Sequence, residues 1–140
     1  MNAPVWTDRD VRDALGLAAD GIAEAGVFAR IATDSRKIEA GDLYVALVGE
    51  NFDGHDFVAE SLAKGARGAV VSRTMGDVNG PLYRVQDTLV ALGALAAFRR
   101  RALRAPVVAI TGSSGKTTTK DLTAAAVGSA KRVHATRGNL

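Results

Sequence analysis

Val107-Val108-Ala109-Ile110-Thr111-Gly112-Ser113-Ser114-Gly115-Lys116-Thr117-Thr118-Thr119-Lys120-Asp121 is a short apolar run that breaks into a glycine-flanked loop and then delivers a lysine and three threonines to a helix start. Residues 107–111 predict a parallel strand buried on both faces. Gly112 and Gly115 let the backbone bend so that successive N–H groups converge on one anion. Lys116 adds a point charge for terminal phosphates, Thr117 offers a hydroxyl to a metal ion, and the helix N-terminus supplies partial positive charge. The segment reads as a phosphate cradle built from Gly112, Ser113, Ser114, Gly115, Lys116, Thr117 and Thr118. Ile110 stands where the general phosphate-loop pattern has its first glycine, so the match is to a variant. A purely structural turn has no need of a lysine beside threonines directly after a buried strand.

The position of this loop shapes the domain reading. Residues 106–140 number only 35. They allow one strand at 107–111, one helix at about 117–129 and one further strand at about 132–136, a piece below the roughly 40 residues at which a domain becomes hard to stabilise alone. The expectation is a chain that forms the front of a longer enzyme and ends inside its nucleotide-binding domain.

Composition narrows the class. The chain is 47% hydrophobic and 24% charged, with no cysteine, which leaves neither a disulfide framework nor thiol chemistry. Asp8, Arg9, Asp10, Arg12 and Asp13 exclude a signal-peptide core near the N-terminus, and the apolar run at 43–48 is too short to span a bilayer. The expected location is the cytoplasm. A net charge of +3 is modest, and the basic cluster Arg99, Arg100, Arg101 and Arg104 falls at the end of a predicted helix, where cations suit the macrodipole. No aromatic stacking platform accompanies it, so nucleic acid is not an expected partner.

Before Pro106, helices and strands alternate. Thr7 and Asp10 form a capping-box pattern for a short helix through Val11 and Leu15, which Gly16 can stop. Strands are predicted at 43–48, 69–72 and 82–85. Between the first two lies a helix capped by Asp56, with Val58 and Leu62 inward and Gly65 at its end. Asp87 or Thr88 opens a longer helix in which Leu89, Leu92 and Ala96 recur at helical spacing, and Ala105-Pro106 closes it.

Two connections carry more chemistry than a turn requires. Ala32-Thr33-Asp34-Ser35-Arg36-Lys37 concentrates hydroxyls, a carboxylate and two cations, a set that suits a uracil, a ribose or a diphosphate and equally suits an Asx-type turn. Glu50-Asn51-Phe52-Asp53-Gly54-His55-Asp56-Phe57 brings a glycine turn, a histidine and acidic residues together; Asp53-Gly54 reads as a turn whatever the function. An isolated histidine such as His55 is more often a surface or supporting group than a ligand, and His134 reads as structural.

Thr33-Asp34-Ser35-Arg36-Lys37, Gly41-Asp42-Leu43-Tyr44-Val45-Ala46-Leu47, Phe52-Asp53-Gly54-His55-Asp56-Phe57, the phosphate loop and Ala135-Thr136-Arg137-Gly138-Asn139-Leu140 resemble, in that order, the start of a Mur ligase. The loop is similar to the Thr-Gly-x-x-Gly-Lys-Thr loop of that family and of folylpolyglutamate synthetase, amide-forming enzymes that activate a carboxylate with ATP. Ser113-Ser114 and Lys120-Asp121 look like the branch that joins D-alanyl-D-alanine to UDP-N-acetylmuramoyl-tripeptide in bacterial cell-wall synthesis. The branch that adds the third peptide residue shares the Asp-Ser-Arg and Gly-Asp-Leu segments and is the alternative. Val48 departs from the lysine that many similar sequences carry before Gly-Glu, which weakens the case for a cation from that position on the substrate diphosphate.

The resemblance implies an α/β fold: an N-terminal α/β substrate-binding domain at 1–104, then the first strand, phosphate loop and helix of a truncated parallel-sheet ATPase domain at 105–140. It implies ATP and magnesium as cofactors, with Lys116 and Thr117 catalytic and Thr117 on the metal. It places Thr33, Asp34, Ser35, Arg36, Asp53 and His55 on the UDP-linked substrate and Asn139 near the nucleotide and metal. The partners are UDP-N-acetylmuramoyl-tripeptide and D-alanyl-D-alanine, without membrane insertion; the complete enzyme is expected as a monomer and this 140-residue piece as inactive alone. Two other classes compete: a non-catalytic UDP-sugar-binding module with a vestigial nucleotide loop, and an unrelated phosphate-loop kinase or GTPase.

Overall fold

The computed structural model describes residues 5–18 and 26–136 and divides into two units, Met1–Leu103 and Arg104–Leu140. In the first unit, strand β1 (Trp6–Thr7) leads straight into helix α1 (Asp8–Leu15). The Thr7 hydroxyl accepts the Asp10 amide at 3.1 Å while the Asp10 carboxylate accepts the Thr7 amide at 2.9 Å, so two of the orphan donors at this helix start are satisfied reciprocally. Gly16, at φ 65°, ends the helix in the left-handed region that a side chain disfavours. Strand β2 (Val27–Phe28) pairs antiparallel with β1.

Four parallel strands form the main sheet in the order β3 (Ile31–Ala32), β4 (Leu43–Val45), β5 (Gly68–Val71) and β6 (Leu82–Arg84). Alternation along the strands divides the core into two layers. Leu43, Val45, Val70 and Tyr83 pack with Trp6, Val11, Phe28, Ala91 and Leu95 on the face covered by α1 and by α3 (Thr88–Ala102). Tyr44, Ala46, Ala69 and Val71 pack with Val58 and Ala66 on the opposite face, under α2 (Val58–Ala63). Burial on both faces explains why these strands read as nearly continuous apolar runs.

Helix α3 differs from expectation in its phase. Leu89 is 67% exposed and Ala96 is also exposed, whereas Thr88, Ala91 and Leu95 are buried. The Asp87 carboxylate accepts the amides of Leu89 and Val90 at 2.7 and 3.0 Å, and the Thr88 hydroxyl donates to the buried Ala46 carbonyl at 2.8 Å. That anchor turns the 88, 91, 95 stripe to the sheet. The cap expected from Asp56 is also corrected. Residues Gly54–Phe57 form a 3-10 turn capped by Asp53, and α2 follows it without a side-chain cap.

In the second unit, helix α4 runs Lys116–Gly128. The strands expected at 107–111 and 132–136 are not paired into a sheet, and Val107 and Val108 are 57% and 73% exposed. A parallel strand needs a neighbour's N–H and C=O groups, and no described residue supplies them. The Lys120 ammonium donates to the Thr136 carbonyl at 2.8 Å, tying the segment after α4 to that helix. Among the described residues, no helix is long and apolar enough to cross a membrane.

Candidate functional site

Four parallel strands bring their carboxyl ends to one edge of the sheet, the place where open α/β sheets bind ligands. The 33–37 loop follows β3 there. Asp34 caps the 3-10 turn Ser35–Lys37, accepting the Arg36 amide at 3.1 Å, and its carboxylate also receives Arg36 Nε and Nη2, each at 2.9 Å. The Arg36 guanidinium and then its amide hold the Asp34 carboxyl down at about 2. The Asx-type turn and the cluster of charged and hydroxyl groups are thus the same object. Thr33 and Arg36 are exposed, and Asp34 and Ser35 half-buried.

Arg30 and Asp42 support this loop. Asp42 is fully buried and accepts Arg30 Nε at 2.9 Å, Arg30 Nη2 at 3.0 Å and the Glu39 amide at 2.8 Å. The same Nη2 donates to the Lys37 carbonyl at 2.7 Å, so one guanidinium joins a buried carboxylate to the end of the loop. From the other side the Lys64 ammonium donates to the Ser35 carbonyl at 3.2 Å. Arg30 went unnoticed in the sequence, where Asp42 figured only within the Gly41–Leu47 segment. A buried carboxylate must be paired, and that rule is a signal only once burial is known.

The segment after β4 is built around Tyr44. Its hydroxyl donates to the Gly54 carbonyl at 3.0 Å, and burial, followed by the Asp34, Asp53 and Glu60 carboxylates, pushes it up to about 12. The Tyr44 backbone pairs with Ala32, just before the 33–37 loop, while its hydroxyl reaches the 51–57 segment. Gly54 is there for space: a Cβ on it would lie 2.6 Å from the Leu47 carbonyl oxygen and 2.8 Å from the Leu47 nitrogen.

His55 and Asp53 are brought together. The His55 ring is buried, Nδ1 lies 2.6 Å from Asp53 Oδ1, and Nε2 accepts the Ser72 amide at 2.9 Å. Those partners assign the proton to Nδ1 and engage both ring nitrogens within the protein. Ser72 Oγ, at 3.3 Å from Nε2, gives the trio the order of a nucleophile, base and carboxylate relay. The amide, closer than the hydroxyl, takes the lone pair a general base needs. Asp53 also accepts the His55 amide at 2.9 Å and Arg73 Nη1 at 2.9 Å. The His55 amide and ring hold its carboxyl below the usual carboxylate range. Arg73, missed in the sequence, reaches Asp56 as well at 2.6 Å and locks the turn.

Beyond β5 and β6, an open concavity of about 770 Å³ is lined by Leu15, Leu17, Ser72, Arg84, Asp87 and Val90. It contains none of the candidate binding or catalytic residues singled out from the sequence. The phosphate loop forms its own concavity of about 260 Å³, lined by Ser113, Ser114, Gly115, Lys116, Thr117 and Thr118. Gly115 caps α4 in the left-handed region at φ 74°, and no side chain caps the helix. The Lys116 ammonium donates to the Gly112 carbonyl at 2.6 Å and thereby lies along the loop. No group of three or more His, Cys, Asp or Glu residues among those described could hold a metal by itself. Any cation held beside the loop would therefore need oxygens from a bound phosphate chain in addition to a hydroxyl such as that of Thr117. Asn139 lies outside the described residues.

These features have close counterparts. Residues 27–100 match the Mur ligase family, catalytic domain; the match lies within the first unit and stops before the phosphate loop. The chain is 47% identical over 110 residues to the UDP-N-acetylmuramoyl-tripeptide–D-alanyl-D-alanine ligase of Escherichia coli, covering 79% of this chain and 24% of that protein. The ligase of the same name from Bacillus subtilis is 40% identical over 126 residues, 89% of this chain and 28% of its own length. Among solved structures, MurF from Acinetobacter baumannii superposes with a TM-score of 0.88 at 39% identity over 99% of this chain and 31% of that one. A Thermotoga maritima MurF ligase in complex with ADP gives 0.71 at 34% identity, over 79% and 26% of the two chains. The chain spans about a quarter of the length of the curated relatives it matches. With its parallel sheet, its Asp-Ser-Arg turn and the family match over more than half its length, the chain belongs to the Mur ligase family.

Proposed function

We propose that this chain is the front of an ATP-dependent ligase that joins D-alanyl-D-alanine to UDP-N-acetylmuramoyl-tripeptide in the cytoplasm, with residues 1–104 binding the UDP-linked substrate and 105–140 opening the ATP-binding domain. What carries this reading is the likeness to MurF over 99% of the chain, spanning both the 33–37 turn and the phosphate loop. In the reaction, the terminal carboxylate of the tripeptide takes the γ-phosphoryl group of ATP, and the D-alanyl-D-alanine amine then attacks the acyl phosphate. ADP and phosphate leave as the amide bond forms.

This chain's part in that chemistry is electrostatic. Loop amides and the Lys116 ammonium would neutralise charge on the transferring phosphoryl group, and magnesium, when bound beside the Thr117 hydroxyl, would supply further positive charge there. Thr117 supplies a hydroxyl to that ion. Lys116 exchanges its Gly112 carbonyl for phosphate oxygens to do so. In the first unit, Thr33, Asp34, Ser35 and Arg36 face the substrate directly, while Asp53 and His55 hold the adjoining turn.

The test uses a ligase extended by the remaining domains. Lys116→Ala lowers ligation about a hundred-fold or more. Thr117→Ala also lowers it, and added magnesium partly restores only the second variant. Phosphate release and pentapeptide formation are followed together. Near-normal ligation by Lys116→Ala would refute the loop as the ATP site.

A further inference from the structure

Phe52 is the most solvent-exposed aromatic ring of the chain, at 58%, and it sits at the carboxyl edge of the sheet in the turn that follows β4. The turn is closed by the Gly49 amide, which donates to the Phe52 carbonyl at 2.9 Å, and by the antiparallel bridge between Val48 and Asp53. Gly49 has room for nothing but the ring. A Cβ there would lie 2.6 Å from Phe52 Cε1, 3.0 Å from Cδ1 and 3.3 Å from Cζ. One edge of the ring is therefore seated on bare backbone while much of its surface stays open to solvent. The position next to it is Asp53, which is locked by His55 and Arg73, so the ring projects from a braced turn. Tyr44, paired with Ala32 at the end of β3, donates to the Gly54 carbonyl of this segment, so the turn and the 33–37 loop leave neighbouring strands at the same edge.

We infer that Phe52 is a stacking platform for the pyrimidine ring of the UDP-linked substrate, with Gly49 as the seat that fixes its orientation. The inference rests on the reading of the first unit as the substrate-binding domain. A nucleobase is the ligand that fits, because every base offers a flat π-face while its edge needs polar partners. The flanking residues Glu50, Asn51 and Asp53 are polar, and Asn51 carries both an amide donor and an acceptor. The same polarity disfavours a protein partner or a lipid surface, since a lone ring among carboxylates and amides is too small an apolar patch for either.

UDP and UDP-N-acetylmuramoyl-tripeptide are titrated into the chain and into its Phe52→Leu and Phe52→Tyr variants, with calorimetry for affinity and NMR for the ring protons of uracil. Ring-current shifts report a face-on aromatic neighbour and are insensitive to a merely structural role. Upfield uracil shifts are expected with the native chain and Phe52→Tyr, and their loss in Phe52→Leu with about ten-fold weaker UDP binding. Unfolding followed by the single tryptophan, Trp6, checks that the variants retain the native stability of the first unit. Uracil protons that do not shift in the native complex, or UDP affinity unchanged in Phe52→Leu, overturn the platform while leaving the substrate-domain reading intact. Failure of the native chain to bind either compound overturns both.

Discussion

Removing the Asp42 carboxylate perturbs both the core and the loop that faces the substrate. Asp42→Ala deletes the acceptor for Arg30 Nε at 2.9 Å, Arg30 Nη2 at 3.0 Å and the Glu39 amide at 2.8 Å. Breaking a fully buried ion pair by deleting one partner typically costs about 3–5 kcal/mol. The Arg30 side chain is 45% exposed and keeps the Lys37 carbonyl and Glu39, so water and these partners recover part of that loss. The expected destabilisation is about 2–3 kcal/mol, which for a unit of this size lowers the unfolding midpoint by roughly 10–20 °C. Asp42→Asn retains an acceptor for the Glu39 amide and loses the charge, so it falls between the variant and the native chain. Trp6 is buried in the same core, packed 5.9 Å from the Phe98 ring and under the Arg99 guanidinium, so its fluorescence reports unfolding of the first unit alone. A midpoint for Asp42→Ala within about 2 °C of the native value would mean that the buried carboxylate contributes almost nothing, and the bracing of the 33–37 loop by Arg30 would fall with it.

Acid should unfold the first unit through its depressed carboxylates. Asp10, Asp34 and Asp53 all lie below the usual range, so the unfolded chain binds protons more readily; their contribution is complete above about pH 4 and drains away as pH falls towards about 2. A pH titration of Trp6 fluorescence checks this, and Asp53→Asn should flatten the lower part of the curve. Gly54→Ala is expected to destabilise the same unit by about 1–3 kcal/mol, because the new methyl group meets the Leu47 backbone rather than a movable side chain. Denaturant unfolding of that variant at the native midpoint would show that the 47–54 segment has slack that its geometry denies.

Local rules were legible wherever the deciding partners lie within a turn of each other. Thr7 and Asp10 announced α1 because a capping box is closed by residues three apart, and Gly112 and Gly115 announced the bend before α4 because it is a property of the backbone itself. The apolar runs at β4, β5 and β6 were readable because strands buried on both faces need no alternation. The phase of α3 was not readable, since it is set by the Thr88 hydroxyl reaching Ala46, and neither was the bracing of the 33–37 loop, since Arg30 meets Asp42 only once β3 and β4 are paired. His55 stood beside Asp53 in the sequence, yet its burial and the engagement of its other nitrogen by the Ser72 amide depend on a residue from a distant strand end. The pattern at 107–111 had the composition of a strand, but a strand exists through its partner's hydrogen bonds. The sequence by itself determined the capping box of α1 and its glycine stop, the apolar strands of the parallel α/β pattern and the glycine bend before α4, all of which are short-range. The tertiary structure decided which polar groups are buried and by whom they are satisfied, because desolvation makes a partner obligatory and the partner comes from a distant part of the chain.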